Sequence, residues 1–247
     1  MNLINIKNLS KTYHTKTKEI KAIDNITLNI KEHEIIGIVG ASGCGKSTLL
    51  NILTHLEKPT SGSIIENKEL VIGYMMQTDA LLPWLTVYEN CILGLKLKKM
   101  NSKENIDYVN NLLTKFGLIE FKNEYPNNLS GGMRQRVALI RTLAIKPNIL
   151  LLDEPFSKLD IDSRITISDD VYKIIKDLKI TTILISHDIS ETITLCDRVV
   201  VLTSRPANIK NIYCINYNND LLPSEKRTSM LFSYLYKEIW GDIEHVT

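Results

Sequence analysis

The stretch Gly40-Ala41-Ser42-Gly43-Cys44-Gly45-Lys46-Ser47-Thr48 decides the fold. It fits the pattern G-x-x-x-x-G-K-[ST], directly follows the apolar run Ile35–Val39 and precedes a helical pattern. Glycines let the backbone curl so that successive N–H groups point at a polyphosphate, and the N-terminus of the following helix adds partial positive charge. Lys46 is expected to reach the β- and γ-phosphates, and the Ser47 hydroxyl to ligate Mg²⁺. The stretch therefore predicts a nucleoside triphosphate site, with a chance glycine-rich turn as the alternative.

Two acidic residues close another apolar run. Asp153 and Glu154 follow the residues 149–152, which read Ile-Leu-Leu-Leu. Ligands of open α/β sheets lie beyond the carboxyl ends of the strands, so both acids are expected at the same edge as the phosphate loop. There Asp153 would hold Mg²⁺, directly or through water, and Glu154 would polarise the attacking water as general base. The alternative is a pair of solvated carboxylates at a strand end.

A second helix start carries a pair of glycines, in the stretch Ser130-Gly131-Gly132. Ser130 is typical of an N-cap, and Val137, Ile140 and Ala144 give the following helix an apolar stripe. Exposed N–H groups without a Cβ to obstruct approach predict a second anion site. One chain thus offers two phosphate-binding helix ends, and they need not serve the same nucleotide.

The apolar patterning predicts an α/β fold. Alternation over 26–30 is typical of a half-buried antiparallel strand. The runs 35–39, 149–152 and 182–185 are almost entirely apolar and suit central parallel strands that are buried on both faces. Helical patterns lie between these runs, so a mostly parallel, right-handed α/β sheet is expected.

The patterning also predicts the domain organisation. We expect a single domain over 1–247, with a core formed by 1–77 and 147–247 and a helical insertion over 78–146. Near the end, Leu231, Tyr234, Leu235 and Ile239 have the spacing of an amphipathic helix.

Composition narrows the class of protein. The 247 residues carry 30 Lys+Arg against 28 Asp+Glu, a net charge of +2. This charge lacks the strong basic excess that is typical of proteins that bind nucleic acid. No stretch approaches the roughly 20 apolar residues of a membrane span, and the first residues lack the pattern of a signal peptide, so we expect a cytoplasmic protein. Four scattered cysteines imply neither a zinc site nor a disulfide framework.

The stretch Leu129-Ser130-Gly131-Gly132-Met133-Arg134-Gln135-Arg136, upstream of the residues 149–155, resembles the signature motif of ATP-binding cassette (ABC) ATPases. Other elements of that family follow in order along the chain. Tyr13 resembles the aromatic residue that stacks on adenine, and Gln77 resembles the glutamine of the glutamine loop. Ser157-Lys158-Leu159-Asp160 resembles the D-loop, and His187 resembles the switch histidine.

The resemblance implies an α/β P-loop NTPase of the ABC type, with an N-terminal antiparallel β subdomain and a helical insertion. Two copies would sandwich two ATP molecules head to tail, so that the phosphate loop of one copy faces Ser130, Gly131 and Gly132 of the other, with Asp160 at the same interface. The resemblance further implies that Gln77 ligates Mg²⁺ and that His187 contacts the γ-phosphate. The helical insertion would contact a membrane partner.

Lys158 departs from the family pattern, which usually has a small residue at this place in the D-loop. Because that loop would line the dimer interface, a long cation puts its geometry in question, whereas Asp160 is retained.

Three further segments resemble the nitrate/sulfonate/taurine group of importers: residues 80–90, 197–206 and 236–240. These importers use a separate permease and an extracytoplasmic solute-binding protein. The resemblance therefore implies a peripheral protein on the inner face of the membrane, without nucleic acid as a partner. An exporter ATPase and a soluble cassette ATPase acting on ribosomes or DNA are the alternatives.

Overall fold

The computed structural model describes residues 1–15, 17–217 and 221–244. In chain order its strands are β1 Asn2–His14, β2 Glu19–Lys31, β3 Ile35–Val39, β4 Ser61–Glu66, β5 Ile72–Met75, β6 Ile149–Asp153, β7 Thr181–Ile185, β8 Arg198–Leu202 and β9 Ile209–Cys214. Its helices are α1 Lys46–Leu53, α2 Val87–Leu97, α3 Lys103–Lys115, α4 Gly131–Ala144, α5 Ile161–Asp177, α6 Ile189–Leu195, α7 Pro223–Lys226 and α8 Met230–Glu244. Short 3₁₀ helices cover Ile119–Phe121 and Pro126–Asn128.

The chain divides into two compact units, and the first combines Met1–Leu70 with Ser168–Thr247. In this unit β1 pairs with β2 and β4, both antiparallel. A second group of strands has β3 between β7 and β8, both parallel to it, with β9 antiparallel to β8. Every residue of β3 and β7 is buried, as their apolar runs predict for strands covered on both faces.

The second unit, Val71–Ile167, contains the parallel pair β5 and β6 together with α2, α3 and α4. The chain crosses from this unit to the first within α5. Capping fixes the starts of its helices. The Thr86 side chain and Glu89 form a capping box on α2, and Ser102 accepts a hydrogen bond from the Asn105 N–H on α3.

The predicted fold class is confirmed, because parallel strands, an antiparallel sheet and helices are all present. The runs at 35–39, 149–152 and 182–185 all lie in parallel strands, and the stretch 26–30 lies in antiparallel β2. The boundaries predicted for a helical insertion over 78–146 stay a prediction.

One residue of the predicted terminal helix is placed differently. Leu235 and Ile239 are buried in α8, but Tyr234 is 61% exposed. The buried stripe of α8 is therefore narrower than the spacing indicated, because only positions four apart stay on the covered face.

Among the described residues, no helix combines the length and the apolar character that a membrane span requires.

Candidate functional site

The phosphate loop connects the buried strand β3 to the N-terminus of α1, as the sequence predicts. Gly45 precedes α1 with φ of 134°, a conformation that favours glycine. A Cβ at Gly45 would lie 2.7 Å from the Ala22 carbonyl oxygen, so a side chain is excluded there. Ser42, Gly43 and Ser47 are exposed, whereas Cys44 and Lys46 are buried. The loop therefore presents small residues and backbone at its surface, which is the cradle that a polyphosphate requires.

Lys46 is held at the centre of this loop. Its Nζ donates hydrogen bonds to the carbonyl oxygens of Gly40 at 2.8 Å and Ala41 at 3.0 Å. The ammonium group therefore lies among the backbone groups that would contact a phosphate. Its positive charge would attract the negatively charged phosphate oxygens.

Tyr13, at the end of β1, is fixed by its hydroxyl. The hydroxyl donates to Glu57 Oε2 at 2.6 Å and lies 3.3 Å from Thr48 Oγ1, so Tyr13 contacts the first turn of α1. Lys11 Nζ lies 4.9 Å from the ring centroid. Burial and the hydrogen bond with Glu57 raise the pKa of Tyr13, so its hydroxyl stays protonated near neutral pH. The Tyr13 ring is therefore held in one orientation before any nucleobase would stack on it.

His187 lies in the turn between β7 and α6, in the same unit as the phosphate loop. Hydrogen bonds on both sides fix this turn: the Asp188 N–H donates to Ser186 Oγ at 3.0 Å, and Asp188 Oδ1 caps α6 through the Ser190 N–H at 2.8 Å. The His187 side chain is exposed at the carboxyl end of a buried parallel strand.

The two acidic residues lie in the second unit, at the carboxyl end of β6. Asp153 is 5% exposed. Burial, with a smaller contribution from the charge of Asp153, raises the pKa of Tyr74 to about 12. Glu154 has φ of 51°, which is costly for a residue with a side chain. The Gln77 side-chain amide donates to Glu154 Oε2 at 3.0 Å. The structure therefore brings Gln77 and Glu154 into direct contact.

Gln135 contacts the residues around Glu154, although no role was predicted for it from the sequence. Its side chain is buried on α4, where Nε2 donates to the Glu154 carbonyl oxygen at 3.1 Å and Oε1 accepts from the Lys158 N–H at 3.1 Å. One amide thus stabilises the strained backbone of Glu154 and the start of the D-loop. Gln135 lies on the side of α4 opposite the apolar stripe of Val137, Ile140 and Ala144, so the sequence pattern carried no signal for it.

Ser130 caps α4 as predicted, since its side chain accepts a hydrogen bond from the Met133 N–H at 3.2 Å. Ser130 is exposed, and the two glycines that follow it are half-buried. A Cβ at Gly132 would lie 3.0 Å from Leu159 Cδ2, so the D-loop packs closely against the start of α4. The signature residues and the D-loop are therefore neighbours within one unit.

Asp160 has a defined local partner. Its Oδ1 accepts a hydrogen bond from the Ser163 N–H at 2.9 Å, at the start of α5, and this bond lowers the pKa of Asp160. Its predicted place at an interface between two copies stays a prediction.

The candidate Mg²⁺ ligands form a suitable donor set. Ser47, Gln77 and Asp153 provide a hydroxyl, an amide and a carboxylate, and Mg²⁺ prefers such oxygen ligands. The Gln77 amide nitrogen donates to Glu154, and the amide oxygen is the atom that would ligate the ion. The residues therefore fit a magnesium ion by chemistry.

Comparison with known proteins identifies the family. The model of the ABC transporter family matches residues 23–157. An uncharacterized ABC transporter ATP-binding protein of Bacillus subtilis is 36% identical over 98% of this chain and 96% of its own length. The chain belongs to the ABC transporter ATP-binding proteins, and it is an ATPase of that class.

Other relatives narrow the group. A nitrate import ATP-binding protein of Synechocystis is 39% identical over 91% of this chain and 87% of its own. An aliphatic sulfonates import ATP-binding protein of Bacillus thuringiensis is 34% identical over 98% and 96%. A bacterial ABC transporter cassette solved as a dimer superposes with a TM-score of 0.77 at 33% identity, over 87% of this chain and 99% of that chain. The resemblance to the nitrate/sulfonate group is thus confirmed.

Proposed function

We propose that this chain is the ATP-hydrolysing subunit of an importer, working as a head-to-tail homodimer at the inner, cytoplasmic face of a membrane. The observation that carries the proposal is the presence of two anion-binding helix starts in one chain, at α1 and α4. They lie in different compact units and carry different motifs. A composite site, in which α1 of one copy and α4 of the other bind one ATP, gives each of them a function.

Within the composite site each residue has a separate task. Lys46 and the N–H groups of the phosphate loop bind the β- and γ-phosphates, and Ser130, Gly131 and Gly132 of the second copy bind the γ-phosphate from the opposite side. Glu154 accepts a proton from the attacking water, which His187 orients, and Tyr13 stacks on the adenine. Bound Mg²⁺, held by Ser47, Asp153 and Gln77, would neutralise charge on the phosphate oxygens.

Docking on a permease is supported by the second unit. Several large apolar side chains are exposed there, including Trp84, Leu97, Phe121 and Tyr125. Burial of such side chains against a protein partner would be favourable, which supports a docking surface in this unit. Gln77 lies at the start of the segment that contains Trp84, so a movement of Gln77 on ATP binding would be transmitted to this surface.

The proposed cargo is a small oxyanion, delivered to the permease by an extracytoplasmic solute-binding protein. The support comes from relatives named for import of nitrate, bicarbonate and aliphatic sulfonates. The chain itself provides the energy, and the permease and the binding protein would select among such anions.

The direct test is steady-state ATP hydrolysis by the purified chain. Lys46→Ala should reduce the rate to background, because it removes the ammonium group from the phosphate loop. Lys68→Ala is the matched control, since Lys68 is exposed and pairs with Glu32 in the same unit. Equal rates for Lys46→Ala and the control would contradict the proposed site.

The partner is tested by affinity purification from native membranes. Recovery of a polytopic membrane protein that also recruits a solute-binding protein supports the importer. A membrane protein without such recruitment would favour an exporter, and recovery of ribosomes or DNA would favour a soluble cassette ATPase.

A further inference from the structure

A segment that the proposed function leaves unexplained follows β8 and reads Thr203-Ser204-Arg205-Pro206. Because β8 runs parallel to β3, with Val201 beside Val39, the chain leaves β8 next to the start of the phosphate loop. The Leu202 carbonyl oxygen would lie 3.1 Å from a Cβ placed on Gly40. The segment is therefore positioned to act on that loop.

Arg205 contacts the phosphate loop through its guanidinium group. Its Nε and Nη2 donate to the Gly43 carbonyl oxygen at 3.1 Å and 2.6 Å. Hydrogen bonds from a charged donor are stronger than those between neutral groups, and two donors on one oxygen restrict its direction. The Gly43 carbonyl is thus held on the side of the loop that faces Arg205.

The segment that carries Arg205 is held in place by hydrogen bonds of its own. Thr203 Oγ1 donates to the Pro206 carbonyl at 3.1 Å and accepts from the Asn208 N–H at 2.9 Å. The Ala207 N–H donates to the Ala22 carbonyl oxygen of β2 at 2.9 Å. Although Arg205 is exposed, its backbone is fixed at both ends of the turn.

Holding the Gly43 carbonyl also orients the next N–H group. The Gly43 carbonyl and the Cys44 N–H belong to one planar trans peptide, so they point in opposite directions. Gly43 has φ of 71°, and the Cys44 N–H points across the loop to the Ala41 carbonyl oxygen at 3.2 Å. Lys46 Nζ contacts the same Ala41 oxygen at 3.0 Å, so the Cys44 N–H lies on the side of the loop where the ammonium group is. A bound phosphate would compete with the Ala41 carbonyl for this N–H.

We propose that Arg205 is a positioning residue for nucleotide binding, which holds the Gly43–Cys44 peptide so that the Cys44 N–H faces the polyphosphate. This inference rests on the proposed role of the phosphate loop. Arg205 acts through the backbone of that loop, and a lysine at this position would keep the charge but lose the two-donor contact.

Calorimetric titration of the full chain with MgATP and MgADP tests the inference. Arg205→Ala should weaken both affinities about tenfold, and Arg205→Lys should recover only part of this loss. The loss should persist at high salt, because a hydrogen-bonded contact is screened less than a distant charge. The midpoint of thermal unfolding without nucleotide should stay close to wild type, whereas its increase on adding ATP should shrink.

Arg227→Ala is the matched control, since Arg227 carries the same charge in the same unit and ends α7. Wild-type affinity for Arg205→Ala would overturn the inference. So would full recovery by Arg205→Lys, or disappearance of the effect at high salt, since either result would leave only a charge effect. If the wild-type chain bound no nucleotide, or if Lys46→Ala bound it normally, the proposed function itself would fail.

Discussion

Tyr13 is held at its hydroxyl by Glu57 and Thr48, and Lys11 approaches its ring. Two roles follow from this geometry. The proposed role of the ring is to stack on adenine, while the hydroxyl connects the end of β1 to the first turn of α1.

Tyr13→Ala separates these two roles. If the ring stacks on adenine, affinity for ATP should fall about tenfold while affinity for inorganic tripolyphosphate stays unchanged, because only the base loses its partner. Tyr13→Phe keeps the ring and is the control for the hydroxyl. Equal loss for ATP and tripolyphosphate in Tyr13→Ala would show that Tyr13 acts only through α1. Competition titrations against a fluorescent nucleotide measure both affinities.

Lys158, the unusual residue of the D-loop, has a partner within its own unit. Its Nζ lies 3.7 Å from Asp79 Oδ2, and the same carboxylate oxygen accepts a hydrogen bond from Arg134 Nε at 3.2 Å. Asp79 thus connects the segment after Gln77 to the part of the signature motif that lies in α4.

Lys158→Ala should therefore have a small effect. Lys158 is exposed and lies 3.7 Å from a half-buried carboxylate, and a pair that is partly open to solvent contributes only about 1 kcal/mol. We expect the free energy of unfolding, measured in urea, to change by less than about 1 kcal/mol, and Asp79→Ala, which also removes the Arg134 contact, to cost more. A larger loss for Lys158→Ala than for Asp79→Ala would show that Lys158 stabilises something other than this carboxylate.

At the scale of elements, the turn before α2 depends on one buried side chain. Asn90 is fully buried, its Oδ1 accepts from the Leu82 N–H at 2.9 Å, and its Nδ2 lies within 3.1 Å of the carbonyl oxygens of Leu82, Leu85 and Thr86. The same turn carries Trp84, which is 69% exposed. A single amide thus holds the backbone of the segment that presents this side chain.

Asn90→Leu should lower the free energy of unfolding by about 2–4 kcal/mol, because it leaves buried backbone groups without partners. Asn128→Ala is the control, since Asn128 is exposed and its side chain bonds only to Glu124 among the described residues. Urea denaturation of the two variants gives the comparison. A similar small loss in both would contradict the role of Asn90.

Lys226 joins α7 to the C-terminal end of α6. Its Nζ donates to the Thr194 carbonyl oxygen at 2.8 Å and lies 4.2 Å and 5.1 Å from the ring centroids of Tyr172 and Tyr217. Burial, with repulsion from Lys176, lowers the pKa of Lys226 to about 8.

This pKa predicts how stability depends on pH. Above pH 8 the folded chain loses the Lys226 proton, while the unfolded chain keeps it up to its ordinary pKa of 10.5. The unfolded state then binds more protons, so the contribution of Lys226 to stability rises with pH between about 8 and 10.5, by about 3 kcal/mol in all. Relative to Lys226→Met, the wild type should gain stability across this window. A constant difference between the two chains would contradict the lowered pKa.

The sequence predicted the secondary-structure elements more completely than it predicted the contacts between them. Apolar runs predicted β3, β6 and β7, the glycine-rich motif predicted the start of α1, and the cap residue Ser130 predicted the start of α4, because these signals are local. The bonds from Arg205 to Gly43 join residues 162 positions apart, and those from Asn90 and Gln135 end on backbone atoms. Backbone oxygens are present at every position, so no residue pattern indicates which of them a side chain will reach.

At the scale of the whole molecule, the proposed homodimer requires that a second copy complete each ATP site, and that ATP join the two copies until it is hydrolysed. In that proposal, loss of the Glu154 carboxylate would stop the cycle before hydrolysis.

The most direct test is the mass of Glu154→Gln in solution with saturating MgATP, measured by light scattering during size-exclusion chromatography. For the proposed homodimer we expect twice the monomer mass with ATP and the monomer mass without it, whereas Glu154→Gln combined with Lys46→Ala should stay monomeric in both. A Glu154→Gln chain that binds ATP and remains monomeric would contradict the composite site.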